Sequence, residues 1–119
     1  MNLWHEVCHF FSAARNSFNG VKVALKETAF RQEVFFGVIH YVLVVFIDMP
    51  FTYKLVLAAL WPLIMSAELI NSAVEQVVDH VSPEWNEFAK RAKDMCSAAV
   101  GLLICVMIAV WVTVAIRIV

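Results

Sequence analysis

The chain has 119 residues, of which 62% are hydrophobic and only 16% carry a charged side chain. Soluble domains have about half of their residues apolar and about a quarter charged, so this composition predicts an integral membrane protein of one domain. The net charge of -1 provides no basic field and excludes nucleic acid as a partner. The three cysteines match no zinc or redox spacing.

The first predicted element is an amphipathic surface helix that starts near residue 3. The helix is too polar to cross a bilayer, so we expect it to lie in the headgroup plane; the alternative is a helix that packs on protein rather than on lipid. Gly20 predicts a helix stop or bend, and a second short helix from Val21 completes the surface region at about residue 32. Apolar residues spaced three and four positions apart form one stripe along this helix: Trp4, Val7, Cys8, Phe11, Ala14 and Phe18.

Three membrane spans follow, which makes the predicted fold all-α. The first covers about residues 33–49. Its apolar part is shorter than a hydrocarbon core of about 30 Å, so we expect it either to use apolar surface from its flanks or to lie in a locally thinned bilayer. The second covers about residues 53–67, contains Pro62 and continues as a cytoplasmic helix to about residue 81. Ser82 and Pro83 predict the start of another short helix before the third span, at about residues 95–117.

The basic residues predict the orientation of these spans. Seven of the nine Lys and Arg residues fall on the side of the N-terminus, and only Lys54 and Arg117 fall on the other. Positively charged segments stay in the cytoplasm. The N-terminus and the segment between the second and third spans are therefore expected to be cytoplasmic, and the C-terminus is expected on the opposite side of the membrane.

A polar stripe enters the end of the second span. Carboxylates at the edge of a membrane indicate a functional site. We expect Glu27, just before the first span, either to face the same site or simply to pair with Arg31. The stripe occupies one helical face at offsets of three, four, seven and eleven residues: Glu68, Asn71, Ser72, Glu75 and Asp79.

The stripe suits phosphoryl transfer at a membrane boundary. Carboxylate oxygens without clustered His or Cys favour Mg²⁺, and the nearby Lys and Arg residues favour polyphosphate. Glu75 lies about 10.5 Å along the helix axis from the deeper Glu68. This separation allows metal-bound phosphate at Glu75 and a membrane-embedded alcohol at Glu68. The alternative, a solvated helix face, fits Asp79 well and Glu68 poorly. Three glycines in all leave no Gly-rich phosphate loop.

Three segments carry a resemblance to a known family. The block ELINSAVEQVVD at 68–79, the block AKRAKDMCSAAV at 89–100 and AFRQE at 29–33 resemble the prokaryotic integral-membrane diacylglycerol kinases over nearly the whole chain. The related undecaprenol kinases share the first block but tend to have FR-x-H in place of FRQE. The resemblance implies a homotrimer with active sites at subunit boundaries, using ATP with Mg²⁺ and diacylglycerol as the lipid substrate. It also implies a bacterial inner membrane as the location, which makes the C-terminus periplasmic.

The resemblance also implies roles for individual residues. Glu68 matches the general base, and Glu27 and Glu75 match the carboxylates that hold the metal. The implied ATP contacts are His9, Asn16, Glu27, Asn71, Glu75, Glu84, Trp85, Asn86, Lys93 and Asp94. The implied lipid contacts are Ala29, Phe30, Arg31, Gln32, Glu33, Lys54, Glu68 and Ser97. The chain departs from the family pattern at His9, where Arg is frequent, at Asn16, where an aromatic hydroxyl is frequent, and at Cys96, where Gly is usual.

Three functional hypotheses follow from the sequence. The first is a kinase that converts diacylglycerol to phosphatidate, and the second applies the same chemistry to undecaprenol. The third is a non-enzymatic ion-conducting or scaffolding oligomer, which explains intramembrane carboxylates but not the neighbouring Lys and Asp residues. A kinase assay with Mg²⁺ or EDTA separates the third from the other two.

Overall fold

The computed structural model describes residues 2–118, and these form four α-helices and no strand. The helices are α1 (Leu3–Ala24), α2 (Thr28–Phe46), α3 (Phe51–Val81) and α4 (Glu87–Ile118). Helices α2, α3 and α4 are long and apolar enough to cross a membrane, which confirms the predicted all-α membrane fold with three spans. The chain forms two compact units, one ending at Gln32 and the other beginning at Glu33.

Helix α1 does not stop at Gly20, so that prediction is wrong. The helix continues to Ala24, because Gly costs only about 1 kcal/mol relative to Ala inside a helix and can adopt ordinary helical angles. The chain turns after Ala24 instead. The Arg31 guanidinium closes this turn by donating hydrogen bonds to the carbonyl oxygens of Leu25, at 3.2 Å, and Lys26, at 3.1 Å.

Helix α2 begins five residues before the predicted first span. Its 19 residues rise about 28 Å, close to the hydrocarbon thickness of a bilayer. The helix therefore includes residues that precede the apolar run. The AFRQE segment lies in the first turns of this helix.

Helix α4 is continuous, so the separate short helix predicted after Ser82 does not form. Its N-cap is Asn86, whose Oδ1 accepts a hydrogen bond from the Ala89 N–H at 2.8 Å. The Asn86 amide also donates to the Ser82 hydroxyl. Because Asn86 caps the first turn, the helix starts at Glu87, and Pro83 remains in the loop.

Pro62 lies inside α3 and leaves the Ala58 carbonyl without its helical N–H partner. The Tyr41 hydroxyl of α2 donates to that oxygen at 2.9 Å. An unpaired carbonyl in a membrane-spanning helix is costly. The proline is therefore tolerated because a neighbouring helix supplies the missing donor.

His40 connects the three long helices. It is only 5% exposed, and its Nε2 lies 3.0 Å from the Leu57 carbonyl oxygen of α3. The Trp111 indole N–H of α4 donates to His40 Nδ1 at 3.4 Å. Since the indole can only donate, the ring is neutral and carries its proton on Nε2, which donates to Leu57.

We expect Gly37→Ala to destabilise the fold by about 1–3 kcal/mol, because a methyl group has no room there. A Cβ at Gly37 would lie 2.8 Å from Cε2 of Trp61 and closer still to Nε1. That indole is itself stacked on His40, with ring centroids 5.0 Å apart. Thermal unfolding in detergent measures the effect.

The matched control is Gly101→Ala in α4, where a new Cβ meets nothing within 4 Å. We expect that change to be neutral or to stabilise by up to about 1 kcal/mol. Equal destabilisation by both substitutions would show that the Gly37–Trp61 contact does not limit packing.

Candidate functional site

The polar stripe predicted on the second span lies on one continuous helix, α3. Glu68, Asn71 and Glu75 are all half-buried, whereas Asp79, nearest the end of the helix, is exposed. The Asn71 Oδ1 atom is buried and has no hydrogen-bond partner among residues 2–118. Buried polar atoms are almost always paired, so this oxygen is available to a group that binds here.

A second carboxyl group meets this stripe from α2. Glu33 is half-buried, and its carboxyl group lies near that of Glu68. Its Oε2 is buried without any partner in the part of the chain that the structure describes. The sequence associated Glu33 with the lipid substrate but did not predict its contact with Glu68. Residues 35 positions apart on different helices give no local signal of such a contact.

Five of the predicted ATP contacts line one open hollow at the α3–α4 connection. The hollow has a volume of about 360 Å³, and the Trp85 side chain beside it is 80% exposed. An exposed aromatic ring next to basic and acidic side chains is a suitable surface for a base and a polyphosphate. The five residues are Glu84, Trp85, Asn86, Lys93 and Asp94.

Two ion pairs lie among the residues that line this hollow. Lys93 donates to the Asp79 carboxylate, and Lys90 pairs with Asp94 at 2.6 Å. The sequence interpretation of Asp79 as a solvated helix face therefore missed its contact with a predicted nucleotide residue. The sequence did contain one indication that Asp79 belongs to the site: it lies four residues after Glu75, on the same stripe.

The acidic residues of the stripe fit a hard cation that is bound mainly through a nucleotide. Among residues 2–118, no three His, Cys, Asp or Glu side chains cluster as a complete metal site. Mg²⁺ in kinases needs only one or two protein carboxylates, because phosphate oxygens and water supply the rest. The half-buried Glu75 and the unpaired Asn71 oxygen are donors of that kind.

Lys54 is separated from Glu68 along the same helix. It precedes Glu68 by fourteen residues, a rise of about 21 Å in α3. Its Nζ donates to the Val45 carbonyl oxygen at 3.0 Å, at the end of α2. Ser97, the other predicted lipid contact outside the N-terminal region, is exposed on α4.

The remaining predicted contacts belong to the first compact unit. Glu27 is half-buried in the turn after α1, and Phe30 is buried. Arg31 donates to backbone carbonyls of that turn, as described above. The other residues of this group are exposed: His9, Asn16, Ala29, Arg31 and Gln32.

An apolar groove of about 710 Å³ runs between α2 and α3. On α2 it extends from Val34, next to Glu33, to Phe46, and on α3 it extends from Leu69, next to Glu68, to Trp61. Glu33 and Glu68 are therefore the sequence neighbours of two residues that line this hydrocarbon surface, and an enzyme acting on a lipid hydroxyl requires an apolar surface next to its polar residues.

Comparisons with known proteins give the family. The model of the prokaryotic diacylglycerol kinase family matches residues 15–115. A diacylglycerol kinase of Haemophilus influenzae is 38% identical over 104 residues, which cover 87% of this chain and 88% of that protein. The diacylglycerol kinase of Escherichia coli K12 is 38% identical over 100 residues, 83% of this chain and 82% of its own. That of Helicobacter pylori is 38% identical over 96 residues, 78% and 75% respectively. The chain therefore belongs to the prokaryotic diacylglycerol kinase family and is a lipid kinase.

Proposed function

We propose that this protein transfers the γ-phosphoryl group of ATP to the free hydroxyl of sn-1,2-diacylglycerol and so makes phosphatidate. The observation that carries the proposal is the position of Glu68, a half-buried residue of the polar stripe that directly precedes Leu69, which lines the apolar groove. A non-enzymatic oligomer is no longer a competing hypothesis, because the family consists of lipid kinases.

Glu68 is the proton acceptor of the proposed reaction. The hydroxyl oxygen of the lipid forms a bond to the γ-phosphorus, the bond from that phosphorus to the bridging oxygen breaks, and ADP leaves with the electron pair. The hydroxyl proton passes to the Glu68 carboxylate. Most of the rate enhancement comes from positioning and charge neutralisation, as in other phosphoryl transfers.

The nucleotide is proposed to approach through the hollow at the α3–α4 connection. Trp85 offers a face for the adenine, and Lys93 offers a cation for the phosphates. Glu75 and Glu27 would hold a Mg²⁺ ion together with phosphate oxygens. Once bound, that ion neutralises charge on the phosphates. The proposal for Glu27 rests on the family resemblance, and that for Glu75 also rests on its place in the stripe.

The groove between α2 and α3 is proposed to hold an acyl chain of the lipid. Its lining is almost entirely apolar, from Val34 and Leu69 at its head to Phe46 and Trp61. An acyl chain lying there would place the hydroxyl of its glycerol backbone beside Glu68. The close approach of Gly37 and Trp61 forms part of the groove floor.

The surroundings of the site are proposed from the sequence. The positive-inside rule supports an inner-membrane protein with its site on the cytoplasmic side, where ATP is available. The family resemblance supports a homotrimer. The large apolar side chains that stay exposed on α2, α3 and α4, such as Phe35, Phe46, Leu63 and Leu102, provide surfaces for lipid and for neighbouring subunits.

A competition assay tests the proposed substrate. Purified protein in mixed micelles receives γ-labelled ATP, Mg²⁺ and equal amounts of diacylglycerol and undecaprenol. We expect the label in phosphatidate, and we expect EDTA to abolish it. Label mainly in undecaprenyl phosphate would replace the proposed acceptor, and transfer that EDTA does not change would refute the metal requirement.

A further inference from the structure

Asp79 joins the polar stripe of α3 to the hollow at the α3–α4 connection. It is the last residue of the stripe, and it also lines the hollow. Its carboxylate accepts a hydrogen bond from the Lys93 ammonium group, and the two residues form an ion pair between the helices. Lys93 is therefore held by a residue on the same face of α3 that carries Glu75, one helical turn away.

The other basic residues in the first turns of α4 are held differently. Lys90 and Arg91 pair with acidic residues four positions away on α4 itself, and their side chains are 59% and 65% exposed. The Lys93 side chain is only 36% exposed. Lys93 is thus the most enclosed of these three cations, and its position depends on α3 as well as on α4.

Asp79 does not stabilise the helix that carries it. It lies in the last turn of α3, where the partial negative charge of the helix end repels a carboxylate. Asp is also a poorer helix former than Ala. The Asp79 side chain is 64% exposed, so its ion pair with Lys93 contributes little to the stability of the fold. The contact therefore concerns the position of the lysine more than the stability of α3.

A lysine side chain needs such a partner to be held in one position. Its ammonium group ends a flexible chain of four carbon atoms and has three N–H donors. Asp79 accepts from one of these donors, which leaves two for phosphate oxygens. Because the side chain is ordered before a nucleotide arrives, binding costs less conformational entropy.

We propose that Asp79 is a positioning residue for ATP: its carboxylate fixes the Lys93 ammonium group beside the polar stripe, where that group meets the phosphates. This inference rests on the proposed contact between Lys93 and the nucleotide. Asp79 itself touches no reacting atom, and its own negative charge repels the phosphates. The positioning effect and the repulsion have opposite signs, so kinetic measurements can separate them.

Replacement of Asp79 by alanine tests the inference. We expect Asp79→Ala to lower kcat/KM for MgATP by about three- to tenfold, the cost of ordering one flexible side chain. Asp79→Asn keeps an oxygen that can accept from Lys93, so its loss should be smaller. KM for diacylglycerol should change less than about twofold in both variants, since the ion pair orients a group that binds the nucleotide. Thermal unfolding should give melting temperatures within about 4 °C of the unsubstituted protein.

Glu87→Ala is the matched control. It breaks the surface ion pair with Arg91 on α4, and the Glu87 side chain is 66% exposed, close to the 64% of Asp79. We expect unchanged kcat/KM for MgATP. An equal loss in this control would show that any broken ion pair at the start of α4 has the same effect, and it would overturn the role of Asp79.

A double substitution separates this inference from the proposed function. In a Lys93→Met background, Asp79→Ala should cause no further loss of kcat/KM for MgATP, because no ammonium group is left to position. The role of Asp79 is overturned when Asp79→Ala leaves kcat/KM unchanged or raises it, or lowers it equally with and without Lys93. Normal kinetics of Lys93→Met would instead refute the proposed contact between Lys93 and the nucleotide.

Discussion

Glu68→Gln is expected to lower the rate of phosphatidate formation by about 100- to 10,000-fold, the usual contribution of a general base. A carboxamide has almost the size of a carboxylate but cannot take the hydroxyl proton. The measurement is kcat with γ-labelled ATP and diacylglycerol in mixed micelles, together with thermal unfolding to show that the fold is retained.

Asp48→Asn is the matched control for this substitution. It is the same acid-to-amide change at an exposed residue between α2 and α3, in the loop that includes Pro50 and is remote from the stripe. We expect normal activity. Turnover of Glu68→Gln within about threefold of the unsubstituted protein would remove Glu68 from the reaction.

Glu75→Gln is expected to lower kcat/KM for MgATP by about 100-fold, equivalent to about 2.7 kcal/mol. Glu75 is the half-buried carboxylate of the stripe that lies between Glu68 and the hollow at the α3–α4 connection. Removing its charge should weaken the hold on the nucleotide and its cation while leaving KM for diacylglycerol nearly unchanged. Initial rates over a range of MgATP concentrations, at saturating lipid, measure the effect.

Glu87→Gln is the control for the charge change at Glu75. Glu87 is an exposed glutamate in the first turn of α4, where it forms a surface ion pair with Arg91 at 2.6 Å. Such pairs contribute at most about 1 kcal/mol to stability, and this one is not part of the proposed site. A loss at Glu75→Gln that appeared in KM for diacylglycerol, and not for MgATP, would contradict its assignment to the nucleotide.

The three spans and the polar face of α3 could be predicted from the sequence, because each depends only on residues that are close together in the chain. A run of apolar residues of sufficient length predicts a span, and the offsets of Glu68, Asn71 and Glu75 define a face wherever the helix lies. Local signals failed at helix ends. Gly20 lies within α1, and Asn86 rather than Ser82 caps α4, because capping depends on which side chain reaches a free N–H in three dimensions.

The contacts between helices could not be read from the sequence. Nothing near Tyr41 indicates that its hydroxyl bonds to the carbonyl freed by Pro62, and nothing near Glu33 indicates that its carboxyl meets that of Glu68. Both depend on how α2 rotates against α3. The residues of the hollow were easier to predict, because Glu84, Trp85 and Asn86 are neighbours in one loop and Lys93 and Asp94 follow within two turns of α4.

The most direct test of the proposed lipid kinase activity is to measure the ratio of phosphatidate, ADP and free phosphate formed in one reaction. With diacylglycerol and Mg²⁺ in excess and γ-labelled ATP limiting, we expect one labelled phosphatidate for each ADP formed and almost no free phosphate. ADP accompanied by free labelled phosphate, or no consumption of ATP at all, would contradict the transfer of phosphate to a lipid hydroxyl at Glu68.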